Sequence, residues 1–202
     1  MFRGPGKYKA MMVASAAFFA FTGVSGSTGL SMQTGRITSQ PIGHYEFCKQ
    51  FSSECEPVKG SGAAPKVTDY GWEVIREINR AVNFSVMPKT DLELFGKEEV
   101  WAYPQIAGDC EDYVLLKRHM LMERGFSAAD VLITVVRKPD GEGHAVLTLR
   151  TSEGDFVLDN LEDDVKLWRD TPYSYLKRQA SNNSGRWVTI ENSTEVMVGA
   201  LR

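Results

Sequence analysis

Gly108-Asp109-Cys110-Glu111-Asp112-Tyr113 sets a cysteine at the head of a segment with helical spacing: Tyr113, Leu116 and Met120 recur on one face, with Val114 and Leu121 beside them. Gly125 follows as a C-terminal stop, and Lys117, Arg118 and Arg124 lie late in the segment, where cations complement the helix dipole. Unpaired N–H groups at a helix start favour a thiolate, so Cys110 is placed to react. A structural thiol more often sits mid-helix on the apolar face, whereas this one is flanked by Gly, Asp, Glu and Asp. Taken alone, the residues leave both readings open.

Downstream the periodicity changes. Val131 to Arg137, His144 to Arg150 and Asp155 to Asp159 are β-rich runs separated by Pro139-Asp140-Gly141-Glu142-Gly143 and Thr151-Ser152-Glu153-Gly154, the pattern of an antiparallel meander. Along the second run Ala145, Leu147 and Leu149 share one face and point to the core, which puts His144, Val146, Thr148 and Arg150 on the other, expected to be the more polar. Asp159 ends the next strand, within reach of His144 across a short turn. Cysteine, histidine and aspartate in that order are a thiol nucleophile, its base, and an acid that fixes the imidazole tautomer. His44 and His119 read instead as ordinary surface histidines, and Asp163 and Asp164 as solvated acids in a charged loop.

At the N-terminus Arg3, Lys7 and Lys9 precede an apolar run from Ala10 to about Val24 and then small residues, the layout of a secretory signal peptide over residues 1–26. The leader implies export, and the periplasm is the expected location of the mature protein. The run is shorter than the roughly 20 residues of a spanning helix. Without those residues the chain carries 20 basic against 26 acidic side chains, with no basic stripe, which disfavours nucleic-acid binding. In an oxidising compartment Cys48 and Cys55 suggest a disulfide, with two free thiols as the alternative if there is no export.

Residues 27–41, rich in Ser, Thr, Gly and Gln, read as a flexible lead-in, and residues 42–202 as one domain. Thr68 is an N-cap candidate for an amphipathic helix over 68–83, carried by Val74, Ile75, Ile78 and Val82, with Gly71 as a weak point. Residues 84–107 read as loop with a short turn of helix around Glu98, and Arg186 to Ile190 as a last strand. The fold class is α+β, helices packed on an antiparallel sheet.

Phe47-Cys48 with Cys55, Ile78-Asn79, Val82-Asn83, Trp101, Gly108 to Tyr113, Gly143-His144-Ala145-Val146-Leu147 and Leu158-Asp159-Asn160 resemble the bacterial transglutaminase-like cysteine proteinases, from about Tyr45 to Trp187. The resemblance implies a papain-like, transglutaminase-type fold with Cys110 as nucleophile, His144 as base and Asp159 as orienter. It also implies calcium (Ca2+) at Asp109 and Glu111. By the same resemblance the substrate is a large secreted adhesin, cut near an Ala-Ala pair to control biofilm attachment, and the partner that restrains the enzyme is an inner-membrane cyclic di-GMP receptor.

Electrostatics bears on the calcium separately. Two carboxylates roughly 6 Å from the sulfur would each oppose a thiolate by about 0.7 to 3 kcal/mol, depending on effective dielectric. A hard cation would remove that opposition. The alternative is that Asp109 caps the helix while Glu111 and Asp112 complement its dipole. Two further functions stay open on the residues: a transglutaminase or other acyl transferase with the same triad, and a non-catalytic calcium-binding protein.

Overall fold

The computed structural model describes Met1 and residues 29–191, so the signal-peptide reading of residues 1–26 lies almost wholly outside the described residues. In chain order the elements are β1 (Gln33–Thr38), α1 (Ile42–Gln50), α2 (Asp69–Ser85), the short β2 (Met87–Pro88), α3 (Asp91–Phe95), β3 (Ala107–Gly108) and α4 (Cys110–Glu123). Then follow β4 (Val131–Arg137), β5 (Gly143–Thr151), β6 (Gly154–Asp159), β7 (Glu162–Leu167), β8 (Ser174–Ala180) and β9 (Asn183–Glu191), with 3-10 turns at Ser52–Cys55 and Trp168–Asp170. No helix among the described residues is long and apolar enough to cross a membrane.

Seven strands form one sheet in the order β1-β9-β8-β4-β5-β6-β7, every pair antiparallel. The expected meander is β4-β5-β6, and it continues into β7. The helices α2 and α4 cover one face. Val74, Ile75, Ile78 and Val82 of α2 are buried there with Tyr113, Val114, Leu115 and Leu121 of α4, against Ile133, Ala145, Leu147, Leu149 and Leu158 of the sheet. Thr68 caps α2 as its spacing predicts, accepting from the Gly71 N–H at 3.1 Å. Gly125 adopts φ 92° just beyond α4, the left-handed conformation that ends a helix without a Cβ clash.

The other sheet face differs from expectation. His144, Val146 and Thr148 are as buried as their neighbours on β5. Val146 packs in a second cluster with Met32, Val136, Val157, Tyr175 and Ile190. The residues just before β1 return to β6: the Asp155 N–H donates to the Leu30 carbonyl, and the Met32 N–H donates to the Asp155 carboxylate. The sheet therefore curls over its own second face. A strand predicted from alternation as half-solvated is buried on both sides, because its second cover comes from residues distant in sequence.

Three further corrections follow from the same fold. Within the segment read as a flexible lead-in, Gln33–Thr38 is an edge strand paired to β9, so the fold begins before Ile42. The helical turn of the 84–107 loop falls at Asp91–Phe95 rather than around Glu98, and it carries a capping box in which Thr90 and Glu93 satisfy each other's backbone N–H groups. Lys117 and Arg118 are buried, not surface cations at a helix end. Arg118 instead ties α4 to the rest of the molecule, donating to the Val131 carbonyl, the Ser184 hydroxyl and the Glu54 carboxylate.

His44 also departs from its reading as a surface residue. It is 1 % exposed, accepts from Trp187 Nε1 at 3.2 Å, and lies beside the Cys48–Cys55 disulfide. Burial, with the Arg118 charge adding to it, pulls its imidazole down to about 3, so it stays neutral. His119 fits its expectation, exposed and paired to Glu123. The disulfide closes a loop of sequence separation 7, which constrains the unfolded chain by roughly 2 to 3 kcal/mol in the chain-entropy model. Protein made in an oxidising compartment should present one alkylatable thiol, Cys110, and three after reduction. Intact-mass measurement after alkylation checks this, and three reactive thiols before reduction would contradict it.

Candidate active site

Gly108 explains the start of the motif. A Cβ at this position would lie 2.7 Å from Asp112 Cβ and 2.5 Å from its carboxylate, so the backbone meets the first turn of α4 only as glycine. Asp112 in turn accepts from the Ala102 N–H at 2.8 Å, which pins the loop ahead of the helix. Burial, reinforced by the charges of Asp109 and Asp91, pushes the Asp112 carboxyl up to about 7.

Cys110 opens α4 and lines a cleft of about 620 Å³ together with His144, Gly143, Ala145, Trp101, Asp109 and Glu111. His144 Nε2 and Asp159 Oδ1 are 2.9 Å apart, both side chains buried. That bond leaves Nδ1 as the imidazole nitrogen available to the thiol. Burial works against an ionised Asp159, yet hydrogen bonds from His144, Tyr173 and the Leu161 N–H hold its carboxyl below the usual range. The three residues singled out from the sequence thus come together on α4, β5 and β6, although His144 is reached on a buried face.

The thiol itself is not depressed by its helix position. Burial, followed by the Glu111 carboxylate, pushes Cys110 well above its ordinary value, while the Ala145 N–H facing the sulfur pulls the other way. In this arrangement Cys110 Sγ donates to Glu111 Oε2 at 3.0 Å. Asp109 stands at the N-cap position but makes no side-chain cap; it accepts from the Asp91 N–H at 3.3 Å. The capping reading of Asp109 is therefore replaced by an association with Asp91.

Asp91 is the site residue that sequence reasoning missed. One carboxylate atom from each of Asp91, Asp109 and Glu111 can lie within 4.8 Å of the others, and the Oδ1 atoms of Asp91 and Asp109 are buried without a hydrogen-bond partner. Burial, then the Glu111 and Asp91 charges, pushes Asp109 up to about 8; burial also raises Asp91 and Glu111. Three crowded carboxylates with orphaned oxygens suit a hard cation taking oxygen ligands. The signal available in the sequence was the Thr90-Asp91-Leu92-Glu93 capping box, which fixes Asp91 at the start of α3.

Residues 34–195 match the family profile described as bacterial transglutaminase-like cysteine proteinase (BTLCP). The chain belongs to this family. It is a cysteine protease of the transglutaminase-like type, on an α+β fold. Among solved structures it is similar to calcium-bound LapG of Legionella pneumophila, with TM-score 0.51 and 18 % identity over 81 % of this chain and 93 % of that one. Another structure of Legionella pneumophila LapG aligns with TM-score 0.49 and 21 % identity over 62 % of this chain and 71 % of that one. At these identities the likeness concerns the fold. No curated protein matched at the level of sequence.

Behind the cleft, Lys117 is fully buried, its Nζ without a hydrogen-bond partner. Burial pulls it down to about 7, against the opposing pull of the Asp159 and Asp163 charges. From about pH 7 to 10.5 the unfolded chain holds this proton and the folded chain releases it, so this group's contribution to stability rises with pH through that window. Lys117→Met should remove the rise and be more stable than the parent at pH 7 and below, by on the order of a few kcal/mol. Urea unfolding of both proteins from pH 6 to 10 measures it; parallel curves would contradict the assignment.

Proposed function

We propose that this protease is an exported, calcium-dependent endopeptidase in which Cys110 is the nucleophile, His144 the base and Asp159 the orienting acid. The observation that carries the reading is the buried His144–Asp159 bond at 2.9 Å, with His144 lining the same cleft as Cys110. His144 Nδ1 takes the thiol proton as sulfur attacks the peptide carbonyl carbon, and Asp159 stabilises the imidazolium formed. Collapse of the tetrahedral intermediate breaks the C–N bond, and the imidazolium gives its proton to the leaving amine. Water then attacks the thioester with His144 again as base, releasing the acid and restoring the thiol.

Asp91, Asp109 and Glu111 would hold the calcium, whose charge offsets theirs beside the sulfur. With Glu111 so engaged, its claim on the thiol proton falls, and the cysteine is free for His144. The resemblance to the family supports a periplasmic location, a large surface adhesin cut near an Ala-Ala pair as substrate, a role in biofilm attachment, and restraint by a cyclic di-GMP receptor of the inner membrane.

Cleavage of a purified periplasmic adhesin segment from the same source tests the reading. Cys110→Ala should abolish it, His144→Ala should be nearly as severe, and Asp159→Asn should lose less. An unchanged rate in Cys110→Ala would sink the nucleophile assignment. Incorporation of a primary amine in preference to hydrolysis would turn the reading toward acyl transfer.

Chelation should lower the rate and the melting temperature, and calcium should restore both. Asp91→Ala should mimic chelation as fully as Asp109→Ala or Glu111→Ala. Calorimetric titration that detects no calcium binding, with rate and melting temperature indifferent to chelator, would falsify the metal assignment. The thiol, imidazole and Asp159 roles would survive that result.

A further inference from the structure

Asp159 is held at both of its oxygens. Oδ1 faces His144 Nε2 and accepts from the Leu161 N–H at 3.1 Å, while Oδ2 accepts from the Tyr173 hydroxyl at 2.5 Å. Tyr173 lies between the Trp168–Asp170 turn and β8, and its ring centroid stands 5.5 Å from that of His144. One residue thus touches both the imidazole and the acid that orients it. Burial, together with the bond to Asp159, holds its phenol well above the ordinary range, so it remains a proton donor throughout the working pH range.

A carboxylate gripped at one oxygen alone can still rotate about its Cβ–Cγ bond and withdraw the other from alignment. The second grip removes that freedom. A recess of about 230 Å³ lies beside Asp159, lined also by Leu161, Thr171, Pro172 and Tyr173. The Tyr173 ring borders both this recess and the His144 imidazole, where entering water would compete for the Asp159 oxygens.

We propose that Tyr173 is a positioning residue for the thiol–imidazole pair, acting through Asp159: its hydroxyl fixes the carboxylate and its ring packs against the imidazole at the edge of the recess that Asp159 lines. The proposal rests on the triad reading above. Tyr173→Phe keeps the ring and removes only the hydroxyl, so packing is retained and the hydrogen bond is isolated.

The test follows alkylation of Cys110 by iodoacetamide in the calcium-loaded protein, read by intact mass, which needs no knowledge of the natural substrate. Tyr173→Phe should slow alkylation about tenfold, the scale of one hydrogen bond to a charged group. Asp159→Asn should slow it further, and adding Tyr173→Phe to Asp159→Asn should then change the rate less than about twofold, because the two act as one unit. An equal tenfold effect in both backgrounds would reveal a separate structural role and overturn the proposal, as would an unchanged rate in Tyr173→Phe alone. If His144→Ala and Asp159→Asn themselves leave the rate unchanged, the triad reading fails first, and the proposal with it. A second readout in the Cys110→Ala protein is the downfield proton resonance of the His144–Asp159 bond. Tyr173→Phe should shift it, and an unmoved resonance would count against the proposal.

Discussion

Like charges crowded beside a half-buried thiol are the constraint around which this molecule is arranged. Asp91, Asp109 and Glu111 converge where α3, the 96–109 loop and α4 meet, and burial raises the cost of ionising each of them. Alone, such a cluster either keeps its protons or drives its elements apart. Beside the thiol proposed as nucleophile both outcomes would work against the chemistry: a protonated cluster would not attract the proposed cation, and Glu111 competes for the thiol proton. The same repulsion makes the arrangement responsive, since anything that neutralises the carboxylates acts on thiol and loop together.

The remainder of the fold builds the imidazole side from long strands and the acidic side from short elements. His144 and Asp159 sit on interior strands of a curled sheet, and Asn83 on α2 donates to the Asp159 carbonyl at 3.0 Å. On the other side of the sulfur stand α3 with only five residues, β2 and β3 with two each, and Glu99, the one non-glycine among the described residues with positive φ. A left-handed residue in that loop stores backbone strain of about 1 kcal/mol or more. The site thus joins a half built on long strands and a half built on short elements, with the thiol at the seam.

Much of this was legible because the informative signals are local. A helix start around Cys110, a capped helix from Thr68 and a meander through Val131, His144 and Asp159 depend on neighbours a few residues away, and the structure has all three. What failed to show in the sequence depends on distance along the chain. Strand β1 looks like polar linker until β9 pairs with it from some 150 residues away, and His44 looks like a surface residue until Trp187 and Gln179 close over it. Lys117 and Arg118 read as helix-end cations because nothing local says that α4 is buried nearly all round. Asp91 was invisible as a site residue for the same reason: eighteen residues separate it from Asp109, and only the folded loop joins them.

Gly108 has a consequence for how variation at this site will look. No side chain fits there without displacing Asp112, whose other oxygen secures the loop at Ala102. A saturation library scored only by turnover would therefore rank a residue with no functional group beside Cys110, the proposed nucleophile. Sorting the same library by abundance would separate the two: substitutions of the sulfur would leave folded protein in the cell, and substitutions of the glycine would deplete it.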